Sequence, residues 1–71
     1  MTPTRLCEAL AALYWSQRGL AAALDIDERQ VRRWAAGAYP VPVRVAAWLE
    51  GMARYAELHP APKLTVDTTI A

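Results

Sequence analysis

The sequence predicts an all-α fold: four helices in one small domain, five at most, followed by a short tail that reads as strand or as disordered chain. Three observations carry this prediction. Apolar residues recur at helical spacing, first in the stripe Leu6, Ala9, Leu10 and Leu13. Residues that cap helix starts (Thr2, Ser16 and Asp27) stand in front of such stretches. Hydrophobic residues make up 55% of the chain and are rich in Ala and Leu, which suits compact helical packing and argues against disorder.

Each element has a local reason. The first helix is predicted over about Pro3 to Leu13, with Thr2 as cap and Pro3 at the first helical position. Tyr14 and Trp15 carry the chain into a turn. Ser16 then caps a second helix, roughly Gln17 to Leu24, whose inward residues are Leu20, Ala21 and Leu24. Ala21 leaves room for a second helix to cross closely. The turn is Asp25-Ile26. Asp tolerates a left-handed backbone better than most residues, and Ile26 is expected to plug the corner. Asp27 with Gln30 three residues on is close to a capping box and opens a third helix, which runs to about Ala36 and stops at Gly37. Tyr39-Pro40-Val41-Pro42 reads as a stiff connector. The fourth helix is expected from Pro42 to near Leu58, with Val45, Trp48, Leu49, Met52 and Tyr55 or Ala56 on its inner face. His59-Pro60 ends it. From Lys63 to Ile70 apolar and polar residues alternate, the period of a strand. That tail either pairs with the same segment of a second copy or is disordered. The chain thus divides into a helical domain, 1–59, and a tail, 60–71.

Composition narrows the function classes. At 71 residues a core is marginal, so support from a second copy is unsurprising. A net charge of +1 excludes a uniformly basic coat, but five arginines (Arg18, Arg29, Arg32, Arg33 and Arg44) fall within residues 17–44. One cysteine and one histidine offer no set of metal ligands, so neither metal nor cofactor is expected. Cys7 is read as a small buried hydrophobe, and its lack of a partner suits a reducing cytoplasm. No apolar run approaches the ~20 residues that span a bilayer, and the start lacks a signal-peptide pattern. An enzyme is not expected: Gly19, Gly37 and Gly51 are isolated rather than gathered in a phosphate loop, and His59 has no nucleophile near it. For Trp15, Trp34 and Trp48 core packing is the expected role. Tyr39 stays open between core packing and base stacking, and the spacing Ala47-x-x-x-Gly51 is read as a surface accident.

The third helix is the informative one. Wound at about 3.6 residues per turn, Glu28, Arg29, Arg32, Arg33 and Ala36 share one arc of roughly 140°. Val31 and Trp34 lie opposite and are expected to anchor the helix, with Ala35 at the edge. Such a helix, second in a pair joined by a tight turn, fits the major groove of DNA. The arginine fork matches O6 and N7 of guanine, and Glu28 can accept from the cytosine amino group. Glu28, Arg29, Arg32 and Arg33 are therefore the candidate base-contacting residues. Gln17 and Arg18, at the start of the second helix, and Arg44, in the first turn of the fourth, are candidates for the DNA backbone. The bland alternative is a solvated charged face with a Glu28–Arg32 pair at i, i+4.

Residues 13–49 resemble the phage Cro/C1-type (XRE-like) helix-turn-helix regulators. The resemblance is carried by Ser16-Gln17-Arg18, Leu20-Ala21, Leu24-Asp25-Ile26-Asp27, Val31 and Trp34-Ala35-Ala36-Gly37. Tyr39-Pro40-Val41-Pro42 and Val45-Ala46-Ala47-Trp48-Leu49-Glu50 are similar to small repressors of phages and mobile elements, among them regulators associated with anti-CRISPR operons. The resemblance implies a lambda-repressor-like fold and a homodimer that binds an inverted-repeat operator and represses transcription. Two departures stand out. Asp25 occupies a position where the family usually has glycine, and the strand-like tail replaces a fifth helix. The competing expectation is a protein-interaction module, or an antitoxin-like partner, on the same scaffold.

Overall fold

The computed structural model describes residues 1–62, and the expected strand or disordered segment from Lys63 lies outside the described residues. Four helices follow one another: α1 (Pro3–Leu13), α2 (Gln17–Leu24), α3 (Glu28–Ala35) and α4 (Val43–Leu58). The fold is all-α, as the periodicity predicts, with no strand among the described residues.

The caps explain the boundaries. The side chain of Thr2 accepts from the Arg5 N–H, that of Ser16 from the Gly19 N–H, and that of Asp27 from the Arg29 N–H. The reciprocal arm of a capping box is missing at Asp27, where Gln30 instead donates its backbone N–H to the Asp27 carbonyl at 3.0 Å. Helices α1, α2 and α3 all stop the same way. A residue with left-handed backbone (Tyr14 at φ 59°, Asp25 at φ 55°, Gly37 at φ 79°) turns the chain, and the last carbonyls accept from N–H groups beyond the helix. At α3 the Ala38 N–H donates to the Arg33 carbonyl at 2.9 Å and the Gly37 N–H to that of Trp34 at 3.1 Å. Asp25 therefore supplies the left-handed turn residue without glycine. The fourth helix begins one residue later than expected: Pro42 is its cap, and the Ala46 N–H donates to the Pro42 carbonyl.

The core is a single cluster of Leu6, Leu10, Leu20, Ala21, Val31, Trp34, Val41 and Leu49, with Ala9 and Ala53 also buried. Helix α1 packs on α4 and on α3, and α2 packs on α3. Three expectations about burial are corrected. Cys7 is exposed. It lies about 100° round the helix from Leu6, beyond the edge of the stripe to which Leu6, Ala9 and Leu10 belong. Trp48 and Met52 are more than a third exposed and Tyr55 two-thirds, so they do not line the inner face of α4. That face is Leu49, Ala53 and Ala56, flanked by Val45 and Ala46. Another edge of α4 is tied to α1 by Arg5. Its Nε donates to Glu50 Oε1 at 2.9 Å and its Nη1 to Glu57 Oε2 at 2.9 Å. The Glu50 and Glu57 edge of α4 thus meets α1, and the tryptophan edge lies on the other side of the helix, where the Trp48 ring is 5.7 Å from that of Trp15. Ile26, expected to plug the corner, is instead at the rim of an open cleft of about 600 Å³ shared with Leu24, Trp34, Pro42 and Val45.

Candidate nucleic-acid interface

Helix α3 is anchored from one side. Val31 is fully buried and Trp34 is 3% exposed, and both belong to the core cluster. Ala35 is half-buried at the edge, as its position on the helical arc implies. On the other side Arg29, Arg32, Arg33 and Ala36 are exposed, and Glu28 is half-buried. The two faces of this eight-residue helix are thus as unlike as the sequence predicts.

The guanidinium groups are held by short-range partners. Glu28 sits between two of them: Arg18 Nε is 3.3 Å from its Oε1, and Arg32 Nη1 is 3.4 Å from its Oε2. The i, i+4 pair foreseen as the bland alternative is therefore present, joined by an arginine from α2. Arg29 reaches back to Asp27, with Nη2 at 3.3 Å from Oδ2. These hydrogen bonds, first of all the one from the Arg29 backbone N–H, hold the Asp27 carboxyl below its ordinary range. The Asp27 side chain in turn raises the Arg29 pKa, through its hydrogen bond first. Arg33 makes no ion pair among the described residues. Its guanidinium carbon lies 5.7 Å from the centroid of the Tyr39 ring, within reach of a cation–π contact.

Of the seven residues singled out from sequence, five stand together. Arg18, Glu28 and Arg32 form one connected cluster, and Arg29 and Arg33 flank it on the same helix. Gln17 is half-buried at the first position of α2, next to Arg18. Arg44 is exposed in the first turn of α4 and makes no ion pair among the described residues, so nothing ties it to the others.

Two members of this surface were not legible as such. Asp27 reads as a helix cap, and its bond to a side chain two residues on escapes the usual i, i+3 and i, i+4 rule because a cap lies outside the helix. Tyr39 reaches Arg33 only because the turn at Gly37 folds the chain back, and no spacing rule signals that.

Chemically, the surface is a row of N–H donors with fixed positive charge and two carboxylates set among them. It can bind anions and hydrogen-bond acceptors. Among the described residues no group of three or more His, Cys, Asp or Glu could hold a metal ion, and no helix is long and apolar enough to cross a membrane. Set beside protein-family models, curated proteins and solved structures, the chain matches none of them.

Proposed function

We propose that this chain is a sequence-specific regulator of transcription that binds double-stranded DNA, most simply a repressor acting in the cytoplasm. In this reading α2 and α3 form a helix-turn-helix of the Cro/C1 type, with a lambda-repressor-like arrangement, and α3 enters the major groove. One observation carries it: a helix pinned by Val31 and Trp34 presents Arg29, Arg32 and Arg33 outward. Arg29 and Arg33 read guanine edges, Glu28 accepts from a base amino group, and Arg32 takes a base or a phosphate. Gln17, Arg18 and Arg44 meet the backbone, where phosphate contacts set position rather than sequence. Glu28, the carboxylate partner of Arg18 and Arg32, is shared between them, so exchange for a DNA acceptor costs little. The protein is a binding protein rather than an enzyme, and it works as a homodimer on an inverted repeat, its two α3 helices about 34 Å apart.

Selecting bound duplexes from a random pool, with a mass measurement of the free protein, tests this directly. The expected result is a palindromic motif and a dimer mass. Failure to enrich any motif sinks the proposal.

A second reading is favoured by a different surface. Trp48, Met52, Tyr55 and Leu58 leave one side of α4 apolar and open to solvent. A protein-interaction module, such as the antitoxin partner of a toxin, would use such a face. Salt separates the two: phosphate-driven binding falls steeply between low and moderate salt, and apolar docking does not.

A further inference from the structure

The Asp27 carboxylate does two things at the start of α3. Its Oδ1 accepts from the Arg29 backbone N–H at 2.8 Å, which caps the helix. It also meets the Arg29 guanidinium side-on, Oδ1 accepting from Nε at 3.4 Å and Oδ2 from Nη2 at 3.3 Å. A guanidinium carries five N–H donors in a rigid plane. The side-on pair occupies the Nε hydrogen and one Nη2 hydrogen. The remaining Nη2 hydrogen and one of the two on Nη1 form the end-on edge, which this pair leaves free. That edge is a fork of the kind that matches O6 and N7 of guanine. The Arg29 side chain is 70% exposed, so solvent reaches it.

Capping alone does not call for an acid at this position. Asn caps as well as Asp, and α1 and α2 are capped by the hydroxyls of Thr2 and Ser16. On a surface that meets phosphates a carboxylate is repelled by every duplex. A carboxylate at a helix start also gains from the helix dipole, but the side-on pair adds something the dipole does not: a side chain already held in place loses less freedom on binding.

We infer that Asp27 is a positioning residue that presents the end-on edge of Arg29 to a guanine, so that this pair selects guanine at one base of each half-site. The inference rests on the DNA-binding reading above. The carboxylate weakens binding to every sequence through repulsion and strengthens it only where guanine answers Arg29, which widens the gap between right and wrong sites.

The test uses the whole chain with three duplexes: the selected site, the same site with the guanine opposite Arg29 changed to adenine, and a scrambled sequence. Wild type is expected to prefer guanine by about tenfold or more. Asp27→Asn keeps the cap. It is expected to bind the scrambled duplex more tightly while most of the guanine preference is lost. Arg29→Lys keeps the charge but not the fork, and is expected to lose the preference as well. If Asp27→Asn folds and retains the wild-type preference, Asp27 is a cap only and the inference is overturned, while the DNA-binding reading stands. A selected motif without guanine in its half-sites has the same consequence. Should Asp27→Asn fail to fold, Arg29→Lys decides, and retained guanine preference overturns the inference. A wild type with no preference among duplexes overturns both.

Discussion

Arg5 and Arg29 are the same residue in two kinds of wiring. Arg5 on α1 is three-quarters buried at its side chain and holds two carboxylates that lie 45 and 52 residues away on α4. Arg29 on α3 is mostly exposed and holds a carboxylate two residues away at its own helix start. Each has its pKa raised, Arg5 first by its hydrogen bond to Glu50 and then by that to Glu57, Arg29 first by that to Asp27. The first arrangement joins two helices. The second joins nothing across the fold and leaves the outer edge of the guanidinium in solvent. An arginine whose partners are distant in sequence is part of the architecture. One whose partner is local is available to something else.

Substitutions can break this contrast in a graded way. The largest effect is expected in the shared core. Leu49→Ala, at a fully buried position on α4, should cost about 2–5 kcal/mol in denaturant unfolding and abolish every binding activity with the fold. A loss under about 1 kcal/mol would mean that this site is not packed as described. Next come Arg29→Ala and Arg33→Ala, expected to weaken cognate duplex binding about ten- to a hundredfold in gel-shift titrations while leaving thermal unfolding nearly unchanged. Arg5→Ala should do the reverse, lowering the melting temperature without altering which base sequence is preferred. If Arg5→Ala changes sequence preference, the division between architectural and available arginines fails. Ser16→Ala removes the hydroxyl that accepts from the Gly19 N–H at 2.9 Å, with an expected loss of about 1 kcal/mol in stability.

Acid should sharpen the same contrast. The hydrogen bonds from Arg5 hold the Glu50 and Glu57 carboxyls below their ordinary value of 4.5. A depressed folded-state pKa gives stability that is complete above the unfolded value and is lost as pH falls through the folded one. The melting temperature is therefore expected to hold from neutral pH to about pH 5 and then to decline below 4.5. Glu50→Gln with Glu57→Gln should flatten that decline. An unchanged acid limb in the double variant would show that the Arg5 bridge does not link α1 to α4 in solution. The raised pKa of Arg5 itself gives stability that is lost only above the ordinary arginine range, so it leaves no mark between neutral and acid pH.

Much of the fold was legible because its signals are local. Thr2, Ser16 and Asp27 mark three helix starts, and Leu13, Leu24 and Leu58 end their helices where the spacing of apolar residues stops. The two faces of α3 follow from its period alone. What escaped depends on distant partners. Nothing near Trp48 or Met52 tells which edge of α4 meets Arg5, because Glu50 and Glu57 look like any solvated acids until α1 is laid beside them. Cys7 is different. Its exposure follows from the α1 stripe, and only the general habit of cysteine argued for burial. In the candidate interface the outward arginines were legible, but the bond from Arg29 to Asp27 and the approach of Arg33 to Tyr39 are made in turns, where no regular period applies.

Gly37 carries a practical consequence. With φ at 79° it turns the chain as α3 ends, and a Cβ built there would lie 3.4 Å from Pro3 Cγ. Met1 also packs against the core cluster. The far end of the arginine helix is therefore seated on the opening residues of the chain. A purification tag fused ahead of Met1 would press on the same seam that aims the guanidinium groups, whereas one attached after Ala71 would be far from it in sequence. Comparing duplex affinity for the two placements should show a penalty for the leading tag alone.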